Sequence, residues 1–357
     1  MAGLLRWIAA VAILFLIGLA IPVIYIETSC RAKPVRSVFV SRILDEQFHG
    51  PEAGSYLSFP QWQIAYTYDQ FAKTLEGSDE NTFNYLRAVI DYWSSYCVTN
   101  QLAMRYGATD FSERAPSHLS GMSFTAAMAF KALYEETFGR MFANFRGQEK
   151  TLQDRFIADT ATDYAAFLKN SAWSEYNFDQ ATKGLWAQPM EGPIRSWERR
   201  LAIGLEWQVK SVLASLNSAL FSSSESDKSE IPRLSVVAGL AAEDLAEIEG
   251  LRVTQTGPEM SIIELPNNDA VTVTVLEILS KGGEFLEVEG NDDILLSFIR
   301  PNRKGGPLPF GYPAVWHGSR SGYGDERVLY SAKVSNLGPI IALFADEGLR
   351  LERIYNY

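Results

Sequence analysis

Gly283-Glu-Phe-Leu-Glu-Val-Glu-Gly-Asn291 returns, altered but in step, as Gly348-Leu-Arg-Leu-Glu-Arg-Ile-Tyr-Asn356. Each copy follows a helical pattern that itself follows a strand pattern. Before the first, Ser261 to Leu265 reads as a strand, and Asp269 to Leu279 reads as a helix stopped by Gly282-Gly283. Before the second, Val328 to Val334 reads as a strand and Leu337 to Glu347 as a helix. Phe285 to Val288 and Ile294 to Ile299 read as two strands joined by the turn Gly290-Asn291-Asp292. Two β-α-β units in one small domain predict a split β-α-β, ferredoxin-like sheet over residues 233–357, with right-handed crossovers and helices on one face.

Working outward, residues 222–232 are dominated by Ser and charge and form the clearest linker. Residues 56–221 carry helical periodicity. Phe83, Leu86, Ile90, Trp93 and Cys97 recur at spacings of three and four, which predicts one buried stripe. Phe130, Phe138, Met141 and Phe145 mark a second, and Leu201, Leu205, Val209 and Val212 a third. Residues 31–55 are a polar connector. The fold class predicted is α+β: an N-terminal anchor over 1–30, the connector, a mostly helical domain, the linker and the ferredoxin-like domain.

The anchor rests on Trp7 to Ile26, a run without a charge. About 20 apolar residues in a helix cross a hydrocarbon core, and Trp7 and Tyr25 sit where aromatic rings favour the headgroup level. No small-residue cleavage site follows the run, so an uncleaved, single-pass signal anchor is expected. The lipid bilayer is then the expected partner of residues 7–26, in a bacterial inner membrane with the body on the exported side.

The formal net charge is -11. Residues 1–42 hold five Lys or Arg and one acid, so the remainder is more acidic still. A body of this sign is repelled by phosphate backbones, which excludes general nucleic-acid binding.

Glu27-Thr28-Ser29-Cys30, Tyr56-Leu57-Ser58-Phe59-Pro60-Gln61-Trp62, Trp93-Ser94-Ser95-Tyr96-Cys97 and Trp197-Glu198-Arg199-Arg200 resemble segments of a group of uncharacterised bacterial membrane-anchored proteins. The resemblance implies a bacterial source and a single anchor, and no activity, cofactor or catalytic residue. That group usually carries an acid where Gln61 stands here.

Chemical motifs are sparse. Glu46-x-x-His49 is half of a carboxylate-bridged di-iron motif without its second half. Gly318-Ser-Arg-Ser-Gly322 has Arg320 where a serine-hydrolase elbow needs Ser. No metal, cofactor or catalytic residue is expected. Ligand-binding candidates are Trp316, His317, Arg320 and Tyr323 in a Gly-rich insertion over 301–324, and the aromatics Tyr56, Trp62 and Tyr66. Cys30 and Cys97 can pair in an oxidising compartment. Arg195, Arg199 and Arg200 beside Trp197 read as a solvated helix face or as contacts to anionic lipid.

The leading expectation is a non-enzymatic binding or assembly protein of the cell envelope with a protein partner. The alternatives are an enzyme whose site lies in the 301–324 loop or where Tyr66, Glu135, Glu136 and Cys97 converge, and a lipid or quinone binder.

Overall fold

The computed structural model describes residues 2–35, 39–43, 45–108, 110–143, 145, 150–171, 173–221, 233–266, 270–301 and 311–355. The expected linker 222–232 lies outside them, as does 302–310 of the Gly-rich insertion.

The helical lobe contains α1 (Ala2–Ser29), α2 (Gly54–Gly77), α3 (Tyr85–Arg105), α4 (Phe111–Tyr134), a π-helical turn (Glu135–Gly139) and α5 (Arg140–Ala143). It continues through α6 (Leu152–Phe167), α7 (Phe178–Ala187) and α8 (Pro193–Phe221). The starts are set by side chains. Asn84 accepts from Arg87 N, Asn177 accepts from Gln180 N, and Thr151 and Asp154 form a capping box. Helix α2 begins before the expected start at Ser58, so Pro60 lies within its second turn.

The anchor is corrected. Among the described residues no helix is long and apolar enough to cross a membrane. The single-pass reading of residues 7–26, and the inner-membrane location built on it, therefore do not stand. The uncharged run suggested twenty residues free for lipid. Instead Leu19 and Ile26 are buried, Val23 packs against the same core as Ile26, and Glu27 pairs with Arg114 and His118 of α4. Cys30 is bonded to Cys97 of α3, with Cα atoms 5.1 Å apart. The last turns of α1 belong to the helical lobe.

The sheet lobe runs β1 (Arg233–Ala238), α9 (Ala242–Ala246), β2 (Arg252–Thr256), β3 (Met260–Leu265), α10 (Ala270–Ser280) and β4 (Glu284–Val288). It then repeats the pattern with β5 (Asp293–Arg300), β6 (Trp316–Ser319), β7 (Glu326–Lys333), α11 (Leu337–Asp346) and β8 (Arg350–Tyr355).

The single ferredoxin-like sheet is corrected to two four-stranded antiparallel sheets, of order β2-β3-β1-β4 and β6-β7-β5-β8. The predicted strands β4 and β5 form, but they do not pair as a hairpin. Glu289 (φ 49°) and Gly290 (φ 76°) reverse the chain between them. Val288 N donates to Asn291 O and Asn291 N to Val288 O, at 3.0 and 2.9 Å. Two successive residues of positive φ make a tight turn, and beyond that one bridge the strands part. β4 pairs with β1, while β5 pairs with β7 and β8.

Each unit cannot bury its helix-bearing face alone, so the two faces meet. Val237, Ile263 and Phe285 of the first sheet share one core with Leu296, Phe298 and Tyr330 of the second and with residues of α10 and α11. The outer face of the first sheet is covered by Ile43 and Phe48 of the connector, against Leu234 and Val236. The outer face of the second, through Leu295, Leu329 and Tyr355, lies on Tyr56, Phe59 and Tyr66 of α2. Strand β5 is buried along both faces, which explains its nearly unbroken apolar run.

The connector is fastened by chemistry as well as packing. The carboxylate of Glu287, buried on β4, accepts from Arg42 N at 2.9 Å, from Ile43 N at 3.0 Å and from Ser41 Oγ at 3.1 Å. Such charge-assisted bonds are about twice as strong as neutral ones.

The helical stripes are only partly buried: of the stripe along α3, Phe83 and Trp93 lie in the core as expected, with Cys97 packed against it. Leu86 and Ile90 are exposed on α3, and Phe130, Phe138, Met141 and Phe145 are exposed along the α4–α5 run. Leu201 (51% exposed), Leu205, Val209 and Val212 (61%) face outward on α8.

Candidate functional site

The sequence-selected aromatics and the 311–324 loop come together, along α2, as the seam between the lobes. Helix α2 reaches the seam because Ser55 lies between strands: its hydroxyl accepts from Leu295 N and donates to Tyr355 O. At the next residue, the Tyr56 hydroxyl is 2.7 Å from Ser331 Oγ, and its ring stacks on Tyr106 at 5.3 Å. Arg353 lies 3.2 Å from the Trp62 ring centroid and Arg327 3.5 Å from that of Tyr66. The Tyr66 hydroxyl is 2.8 Å from that of Tyr355, which donates to Ser297. Arg327 also grips Glu352, whose carboxyl burial would raise, but the guanidinium outweighs burial and holds it low.

The Gly-rich loop docks on the same helix and on α3. Trp316 Nε1 donates to Ser94 Oγ at 3.1 Å, Ser321 N to Gln70 Oε1 at 2.7 Å, and Tyr323 Oη to Asp69 Oδ2 at 2.8 Å. Arg320 pairs with Asp325 at 3.0 Å and lies over the Tyr323 ring at 3.8 Å. Gly322 has φ +80°, and a Cβ there would meet Lys73 at 3.0 Å. The glycine thus lets the loop approach α2 closely. His317 alone stays largely exposed, 3.6 Å from Glu326. These residues spend their polar groups on each other, as an interface does.

Tyr66, Glu135, Glu136 and Cys97 do not converge. Tyr66 is at the seam, Cys97 is in the disulfide, and Glu136 pairs with Arg140. Glu135 is buried in the π-helical turn, where a Cβ at Gly139 would collide with its carboxylate. Glu46 and His49 gather no further acids, and no group of three metal-ligating side chains occurs among the described residues.

A further set of charges lies inside the helical lobe. Lys131 of α4 is 2.6 Å from Glu206 of α8, and Glu206 is 3.0 Å from Lys210 one turn later. The Lys210 ammonium sits 4.9 Å from the Tyr68 ring centroid, 5.1 Å from Tyr164 and 5.4 Å from Phe178. Burial would raise the Glu206 carboxyl; the two ammonium groups outweigh it and hold it at about 2. Burial would likewise lower Lys210, and Glu206 outweighs that too, so the pair stays ionised. A cavity of about 30 Å³ adjoins this triad, lined in part by Phe71, Ile157 and Trp207. That is room for water, far below the roughly 300 Å³ at which organic ligand pockets begin.

A second network lies further along α8. Asp154 accepts from Arg195 Nε at 2.5 Å and from Arg199 Nε at 2.8 Å, Arg195 reaches Asp79 at 3.0 Å, and Arg199 reaches Glu80 at 2.7 Å. Burial would raise the Asp154 carboxyl, but Arg199, Arg195 and Thr151 together hold it at about 2. Arg195 and Arg199 are therefore neither a solvated face nor free for lipid headgroups; only Arg200 is partly exposed, donating to the Trp186 and Gln188 carbonyls.

One signal of this inversion is in the sequence. Arg195, Arg199, Glu206 and Lys210 are spaced by four, seven and four, so they share a helix face opposite the apolar residues. No family model, no curated protein and no solved structure matches this chain.

Proposed function

We propose that this protein is a non-enzymatic binding or assembly module whose helical lobe presents an apolar docking surface. The observation that carries the reading is the inverted helix α8. Its charged residues turn into the lobe and pair there, while Ile194, Trp197, Leu201, Leu205, Val209 and Val212 face outward. A surface helix ordinarily does the reverse. A contiguous exposed apolar patch of this extent marks an interaction site.

The ionised buried groups support the same reading against catalysis. A general base or nucleophile needs a proton affinity near working pH, whereas Glu206 and Asp154 are held at about 2 and Lys210 is kept charged. The small cavity speaks against a lipid or quinone pocket in the same place.

A photoreactive side chain placed at Leu205 tests the reading. The expected result is one discrete adduct from that position and none from Glu243, an exposed residue of α9. No adduct from Leu205, or substrate turnover by the isolated monomer, would contradict it.

A further inference from the structure

Resting on that reading, we infer that the partner of the α8 ridge is a second copy of this chain, bound antiparallel across a two-fold axis between Leu201 and Leu205. Trp197, Leu201, Leu205 and Val209 follow one another at intervals of four, forming a single i±4 ridge. Trp186 extends it at one end, edge-on to Trp197 at 6.1 Å, with Met190 exposed beside them. Aromatic residues of this kind anchor interfaces.

Three observations select a copy of the chain. The four ridge side chains are uncharged, Arg195, Glu198, Arg199, Glu206 and Lys210 are turned inward, and Arg200, a charge beside the ridge, is spent on the Trp186 and Gln188 carbonyls and lies over the Trp186 ring at 5.2 Å. A neutral apolar ridge is complementary to itself, which is what an isologous two-fold contact requires. Interfacial helices that dock on lipid carry Lys and Arg along their polar face to meet anionic headgroups; here Arg195 and Arg199 are buried in ion pairs, and Arg200 is bound to the Trp186 and Gln188 carbonyls. The area also suffices. Eight half-exposed side chains from Trp186 to Val212 offer about 100 Å² each, close to the roughly 800 Å² per partner of a standard interface.

The test is sedimentation of the full chain at tens of micromolar. The expected species has twice the 39.8 kDa chain mass. Leu201→Asp/Leu205→Asp should sediment as a monomer with an unchanged far-UV spectrum, while Leu86→Asp, on the exposed face of α3, should remain dimeric. Leu201→Cys and Leu205→Cys proteins, when mixed, should cross-link to each other faster than either does alone, a readout that needs no destabilising charge. A monomeric wild type, a dimer that survives Leu201→Asp/Leu205→Asp, or capture on lipid vesicles in place of pairing would overturn the inference. If the wild type is monomeric and the Leu205 adduct is another protein, self-pairing fails and the assembly reading stands; if Leu205 yields no adduct, both fail.

Discussion

Both lobes bury an apolar core, and they differ in what they place around it. In the sheet lobe the shared core is Val, Ile, Leu and Phe from both sheets and both helices. The helical lobe has an apolar core too, with Phe71, Tyr92, Trp93, Phe124 and Ile157 in it, but it also buries Lys131, Asp154, Arg195 and Arg199, and along α8 apolar side chains face out. The first arrangement is stabilised by removing apolar area from water. The second draws on the same effect and depends besides on each buried charge having its partner, because a buried ion left alone costs several kcal/mol. The contrast teaches that an apolar stripe can mark an interior in one element and an outer surface in another, as on α8. Charge spacing, more than hydrophobic spacing, tells them apart.

The sharpest way to break the comparison is to remove one charge from the helical interior. Asp154→Ala leaves Arg195 and Arg199 without their shared carboxylate and should cost about 3–5 kcal/mol in urea unfolding. A loss under 1 kcal/mol would mean that the network carries little. Next in size is the disulfide, which closes a loop of 67 residues. Cys30→Ser/Cys97→Ser should lower stability by about 2–4 kcal/mol and free the end of α1. Proteolysis near residue 30 without a change at the seam would confirm that order. In the sheet lobe, Glu287→Ala removes the acceptor that holds the connector. It should cost about 2 kcal/mol and raise hydrogen exchange at Arg42 and Ile43, with the Asp154 network untouched.

The smallest effect is a difference in pH response. Burial raises the Glu289 carboxyl to about 7, only partly offset by Arg233. The folded state then keeps a proton that the unfolded chain releases above 4.5, so this group's contribution falls as pH rises from about 4.5 through 7. Glu289→Gln should flatten that slope in the thermal midpoint; an unchanged slope would remove Glu289 from the account.

Much of the sheet lobe was legible. The strands over 261–265, 285–288, 294–299, 328–334 and 349–355 and both long helices fall where the pattern puts them. Period-two and short apolar runs bounded by Gly are local signals. What was not local was the partner of each strand: a tight turn at Glu289-Gly290 suits a hairpin or a corner, and only packing against α11 and the connector selects the corner. Strands β1, β2 and β6 lacked a decisive pattern, β6 being four residues within the Gly-rich insertion.

The helical lobe shows the converse. Helix positions were readable from periodicity, and so was part of the inward stripe along α3, where Phe83 and Trp93 are buried, but the inward side of α8 was not. Leu201 and Leu205 have the spacing of a core stripe and are exposed; Arg199 has the composition of a surface and is buried. Trp62 and Tyr66 read as one aromatic cluster and Trp316 as part of a separate Gly-rich insertion; their partners Arg353, Arg327 and Ser94 are distant in sequence, so the seam was invisible.

The most direct test of the ionised interior is the unfolding free energy of the wild type and of Asp154→Asn/Glu206→Gln as pH falls from 5 to 2. Both carboxyls are held at about 2 when folded, against 3.8 and 4.5 when free, so their contribution is present above that range and is lost as pH drops through it. The account predicts a steep decline for the wild type and a shallower one for the variant. Parallel declines would contradict it.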